Sequence, residues 1–222
     1  MKGEVILHMA FFLGGLAVLC LAWRMRRKNR NLGLAGVSWW VTGYSAMGLA
    51  AIGTGVDFYY GDWIKGFVTH LLLTGGMAVI WVGTHLFLEG RIRRTAAVVS
   101  ILLLAGEAIG VFWFYFVEPA YQVRLTITCV VLLILSANLS MALFLSNMES
   151  RAVTIAGVCY FLFALLNGSR TLAILISPDR FAYYLSGPLA VAVTALMFPV
   201  LAAAEMAALC MIRNMARGRE AE

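Results

Sequence analysis

The sequence predicts an all-α integral membrane bundle of seven transmembrane helices, with the N-terminus outside and the C-terminus in the cytoplasm. Composition is the first observation: 62% of the 222 residues are hydrophobic and 13% charged, and the mean hydropathy of +0.88 exceeds that of ordinary soluble domains. The second is the placement of the basic residues. Arg24, Arg26, Arg27, Lys28 and Arg30 follow the first apolar run, Arg91, Arg93 and Arg94 the third, Arg151 the fifth, and Arg213, Arg217 and Arg219 the last. Lys2, Lys65, Arg124 and Arg180 fall at the opposite ends. Cytoplasmic loops carry this excess because basic segments resist translocation, so the net charge of +6 describes topology and not nucleic-acid binding.

A span needs about 20 mostly apolar residues, which places the helices at 5–23, 36–56, 64–88, 95–116, 123–145, 152–176 and 183–212. The first is no cleaved signal, since its basic cluster follows the apolar stretch and no small-residue cleavage pattern comes after it. Trp39 and Trp40 mark the inner boundary of the second span. Tyr59, Tyr60 and Trp63, then Trp113, Tyr115 and Tyr121, then Tyr183 and Tyr184 mark outer boundaries, because rings with one polar edge favour the headgroup level. Glycines 14, 15, 43, 53, 55, 75 and 76 permit close helix approach. In the seventh span Pro188 and Pro199 permit a kink. Loops such as 57–63, 118–122 and 146–151 are too short for a folded extramembrane domain, so residues 1–222 form one domain.

Cys20, Cys129, Cys159 and Cys210 lie apart on different spans, which predicts neither structural disulfides nor a zinc site. The chain has no phosphate-cradling loop, nucleophile elbow or HExxH motif, and no enzymatic activity is expected of it. Ionisable residues within spans are the functional candidates, because each costs several kcal/mol unless paired or hydrated: His8, His70, His85, Glu107, Arg124, Arg170 and Glu205. Glu107 lies eleven residues before Glu118 and Arg170 nine before Asp179, about 13 to 17 Å below the outer edge. Their matched depth suggests an ion pair between the fourth and sixth helices. His8 and His70 both lie about 6 to 8 Å below the outer collar, where two imidazoles could hold the iron of one haem b between Phe11, Phe12, Phe67 and Leu71, with Arg124 or Arg170 on a propionate. The competing reading of each histidine is an interhelical hydrogen bond. His85, close to the inner cluster, reads as structural, and Glu205 as tuning the last helix or reaching the headgroups. Ser136, Asn138, Ser140, Asn167 and Ser169 add interhelical hydrogen-bonding capacity.

Several stretches carry a family likeness: SWWVTGYSAMGLAAIGTG from Ser38, GDWIKGFVTHLLLTGGMAVIWVGTHLFLEGR from Gly61 with its Gly90–Arg91 close, VRLTITCVVLLILSANLSMALF from Val123, and FALLNGSRTL from Phe163. With them the chain resembles the seven-helix N-terminal input domain of bacterial membrane diguanylate cyclases of the GGDEF type, over nearly its whole length. The resemblance implies an inner-membrane sensor whose last helix runs into a cytoplasmic cyclic di-GMP-synthesising domain lying beyond this chain, and a homodimer formed through the helices and that domain. It does not match His8 or His70 to a family motif. A b-type cytochrome-like electron-transfer protein and a small-solute transporter are the alternative functions.

Overall fold

The structure, a computed structural model, describes residues 2–30, 32–56, 63–148, 150–176 and 188–220. The expectations placed on Tyr59, Tyr60, Asp62, Asp179, Arg180, Tyr183 and Tyr184 lie outside the described residues. Among the described residues there are seven helices and no strand: α1 Lys2–Asn29, α2 Val37–Val56, α3 Trp63–Glu89, α4 Arg94–Phe116, α5 Tyr121–Phe144, α6 Arg151–Ile176 and α7 Pro188–Glu220. Six of them, all but α2, are long and apolar enough to cross a membrane, and the protein is membrane-embedded. In α2 the run of Trp, Tyr, Ser and Gly lowers the hydropathy.

Two helices overrun their expected ends at the basic side. α1 continues through Arg24–Lys28 and α7 to Glu220. Arginine and lysine are good helix formers and their charge is favourable at a helix C-terminus, so leaving the apolar zone does not end the helix. α7 is therefore about 50 Å long against a hydrocarbon core of roughly 30 Å. Gly90 closes α3 at φ +68°, and Gly36 opens α2 at φ +84° with its Cα so close to α3 that a Cβ would collide with the Gly83 carbonyl. Both conformations favour glycine.

Helix packing forms a closed ring, α1–α2–α3–α5–α6–α7 and back to α1, with α4 laid outside over the α3–α5 seam. α2 is clasped on both sides by reciprocal glycine contacts. A Cβ on Gly15 of α1 would meet Gly48 O at 2.7 Å, and one on Gly76 of α3 would meet Gly43 O at 2.6 Å. Removing the side chains brings backbones into direct contact, the small-residue packing that replaces hydrophobic association in lipid. The core inside the ring runs through Met25, Tyr44, Met47, Met77, Leu135, Leu139 and Ile212, all nearly inaccessible. The outward faces, such as Ile101, Leu102 and Ile109 of α4, are apolar and exposed, as lipid contact requires.

Candidate functional site

The bundle holds two buried polar groups, one toward the end opposite the basic clusters and one toward the basic end. In the first, His70 of α3, Glu107 of α4 and Thr128 of α5 meet where the three helices pack. The Thr128 hydroxyl donates to Glu107 Oε1 at 2.9 Å, which leaves its oxygen to accept from His70 Nδ1–H, also at 2.9 Å. One hydroxyl carries one proton, so with Glu107 as the carboxylate the His70 proton sits on Nδ1. Thr74, one turn beyond His70, faces the same carboxyl group. Glu107 is 1% exposed and its Oε2 has no partner among the described residues.

Arg124 and Arg170 stand beside this chain, both within electrostatic range of His70. The Arg124 guanidinium lies 3.5 Å over the Tyr115 ring and 5.3 Å from that of Tyr121, and its Nε is buried with no hydrogen-bond partner among the described residues. Arg170 Nη1 reaches only the Met197 thioether, at 3.8 Å. Among the described residues neither guanidinium has a carboxylate within ion-pair distance.

The expected Glu107–Arg170 ion pair is therefore not formed. The two residues have α5 between them: Glu107 bonds to its Thr128, and Cys129, the next residue, feels both charges. Depth along the bundle was matched; direction around it was not.

His8 and His70, expected as one ligand pair, have different partners. α2 fills the space between α1 and α3, and His8 Nδ1 donates to the Thr54 carbonyl of α2 at 3.0 Å. Backbones are so close there that a Cβ on Gly55 would meet the His8 carbonyl at 2.9 Å. The expected apolar surround is split as well, since Phe11 packs on Phe198 of α7 at 5.2 Å while Phe67 packs on Phe112 of α4 at 6.3 Å. A porphyrin between two imidazoles needs both rings on one slot, and these residues do not fit it. Arg124 and Arg170 accordingly lose the propionates assigned to them.

The second group was missed. Tyr44 of α2 and Tyr160 of α6 join hydroxyl to hydroxyl across the ring interior, linking helices that are not neighbours in it. Beside them Glu205 of α7 is 0% exposed, with neither carboxyl oxygen hydrogen-bonded among the described residues. It does not reach the headgroups. A narrow cleft of about 10 Å³, room for no more than one water, lies against the pair, lined also by Trp40, Thr84 and Met211. Nearby, Trp40 Nε1 donates to Thr84 Oγ1 at 3.0 Å.

Elsewhere the polar residues are modest. His85 Nδ1 and Arg93 Nε hold the Glu89 carboxylate at 3.0 and 2.8 Å. Of the five serines and asparagines expected to bond between helices, Ser140 does so, to Gly157 O at 2.8 Å. Ser136, Asn138, Asn167 and Ser169 bond back to carbonyls of their own helices, the local alternative open to short polar side chains in a helix. The chain matches no family model, no curated protein and no solved structure.

Proposed function

We propose that this protein is a membrane-embedded signal-receiving domain that binds a small anionic ligand in the outer half of its bundle, between Arg124 and Arg170, and passes the event along α7 to the cytoplasm. The reading rests on one observation above the others: two guanidiniums lie within electrostatic range of His70, with no carboxylate within ion-pair distance of either among the described residues. Partly buried cationic groups without an ion-paired carboxylate favour an anion, and arginine's planar fork suits carboxylate or phosphate. Tyr115 under Arg124 holds the guanidinium plane in place.

Seven crossings, with the N-terminus outside and the C-terminus in the cytoplasm of a bacterial inner membrane, complete the proposal. α2 supports the seventh crossing because it runs packed between two apolar helices, and the alternating basic clusters support the orientation. α7 is the natural output element. It extends beyond the bilayer thickness and carries Pro199 inside the helix, and the resemblance to diguanylate cyclase input domains would have it run into a cyclic di-GMP-forming domain, in a homodimer. The electron-transfer alternative has less support, because His8 bonds to Thr54 and His70 to Thr128.

The test is thermal stability of the purified chain in detergent with acetate, succinate and inorganic phosphate. One of these should raise the melting temperature in proportion to ln(1 + [L]/Kd), and the rise should vanish in Arg124→Gln and Arg170→Gln. Equal shifts in wild type and both variants, or none with any anion, would overturn the proposal.

A further inference from the structure

We propose that the groove where α7 closes on α1 at the basic end binds an anionic phospholipid, whose phosphate bridges Arg24 and Lys28 of α1 to Arg213 of α7 while its acyl chains run along the lipid-facing side of the two helices. Nothing in this inference depends on the anion site at the other end.

Helix register brings the three cations together. Phe11 and Gly14 of α1 pack on Phe198 of α7. Lys28 follows Gly14 by fourteen residues and Arg213 follows Phe198 by fifteen, about four helical turns in each case, and both helices carry their basic residues at the same end. Lys28 and Arg213 therefore come to one level, each returning close to the face that its helix turns toward the other. Arg24 stands one turn before Lys28. All three are exposed, while Met25 of α1 and Ile212 of α7 take the buried side.

Charge then selects the occupant. From Trp23 to Arg30 and from Cys210 to Arg217 the two helices carry seven Lys and Arg residues and no acid, and none of the seven forms an ion pair among the described residues. At the turn between α3 and α4, by contrast, Glu89 receives Arg93 at 2.8 Å. Like charges on touching helices repel, so closure of the ring at this end is favoured by an anion from outside the chain. Trp23 is 57% exposed with the Arg27 guanidinium 4.8 Å over its ring, and an indole so placed sits at the headgroup level. The cations are thus held at the height of lipid phosphates. Toward the membrane centre the same two helices expose Leu13, Leu16 and Met206, an apolar track for acyl chains that a soluble anion would leave empty.

The test uses the purified chain in neutral detergent, titrated with phosphatidylglycerol, phosphatidylcholine or glycerol phosphate and followed by native mass spectrometry and thermal melting. Phosphatidylglycerol should bind at one per chain and raise the melting temperature. Phosphatidylcholine of the same acyl chains should bind roughly tenfold or more weakly, and glycerol phosphate should have no effect through these residues. A basic side chain near an anionic surface is worth on the order of fivefold in affinity, so Arg24→Gln/Lys28→Gln/Arg213→Gln should bind phosphatidylglycerol about a hundredfold more weakly. Arg91→Gln/Arg94→Gln/Arg151→Gln, which removes the same charge from exposed positions at the same end, should keep wild-type affinity. Should the first variant fail to fold, the wild-type chain still decides, since its preference for phosphatidylglycerol must shrink as salt is added. Equal binding of the two lipids, a salt-independent preference, no loss in the first variant, an equal loss in both, or stabilisation by glycerol phosphate that vanishes in the first variant would overturn the proposal.

Discussion

Thr128 has one hydroxyl, and that hydroxyl joins three helices by accepting from His70 and donating to Glu107. Replacing it with valine keeps the shape and removes both bonds, leaving buried polar atoms unsatisfied on α3 and α4. Thr128→Val should cost about 1–3 kcal/mol of stability, read from denaturation in mixed detergent, and Thr128→Ser should recover most of it. A Thr128→Val protein as stable as wild type would mean the chain of bonds is absent in solution. At this scale the sequence was only half legible. Counting residues from the charged collars gave depth, which flagged Glu107, Arg170, His70 and Arg124 as buried candidates. It could not give direction around the bundle, so Glu107 and Arg170 were paired through a helix that stands between them. The Tyr44–Tyr160 bond escaped notice for a related reason, since its two residues lie 116 positions apart on helices whose facing sides hydropathy does not reveal.

Among the elements, α2 is held most tightly, and two adjacent glycines of its neighbour show how specific the clasp is. A Cβ on Gly75 would meet nothing within 4 Å, whereas one on Gly76 would strike Gly43 O, at 2.6 Å, and Met47. Gly75→Ala should therefore be neutral or stabilising by up to about 1 kcal/mol, through the gain in helix propensity. Gly76→Ala should push α2 off α3 and destabilise by about 1–3 kcal/mol, the ordinary cost of overpacking. Comparing the two variants by thermal melting checks this directly; equal effects would contradict the observed clasp. The helices themselves were readable from hydropathy and charge because lipid imposes both. Their ends at the basic side were not, because the signal that closes a span, a run of arginines, does nothing to unwind a helix.

Taken whole, the molecule is a ring closed by α7 against α1. Short loops dictate which consecutive helices are neighbours, but nothing in them states that the last helix returns to the first or that α4 is left outside. For the proposed orientation, a cysteine placed at position 217 of a chain lacking native thiols should react with a membrane-impermeant maleimide only after cells are permeabilised, and one at position 118 on intact cells. Reaction at 217 from the outside would reverse the topology. The weak hydropathy of α2 has a consequence for how this ring is made. A segment whose glycines, serines and indoles lower its hydropathy is expected to enter lipid less readily alone, as it leaves the ribosome, than its neighbours do. Its grooves fit only α1 and α3, so α2 depends on the earlier helix to retain it beside the translocon and on the later one to seal it in. Biogenesis of the protein then proceeds by triplet, and a chain arrested before α3 has no stable place for its second helix.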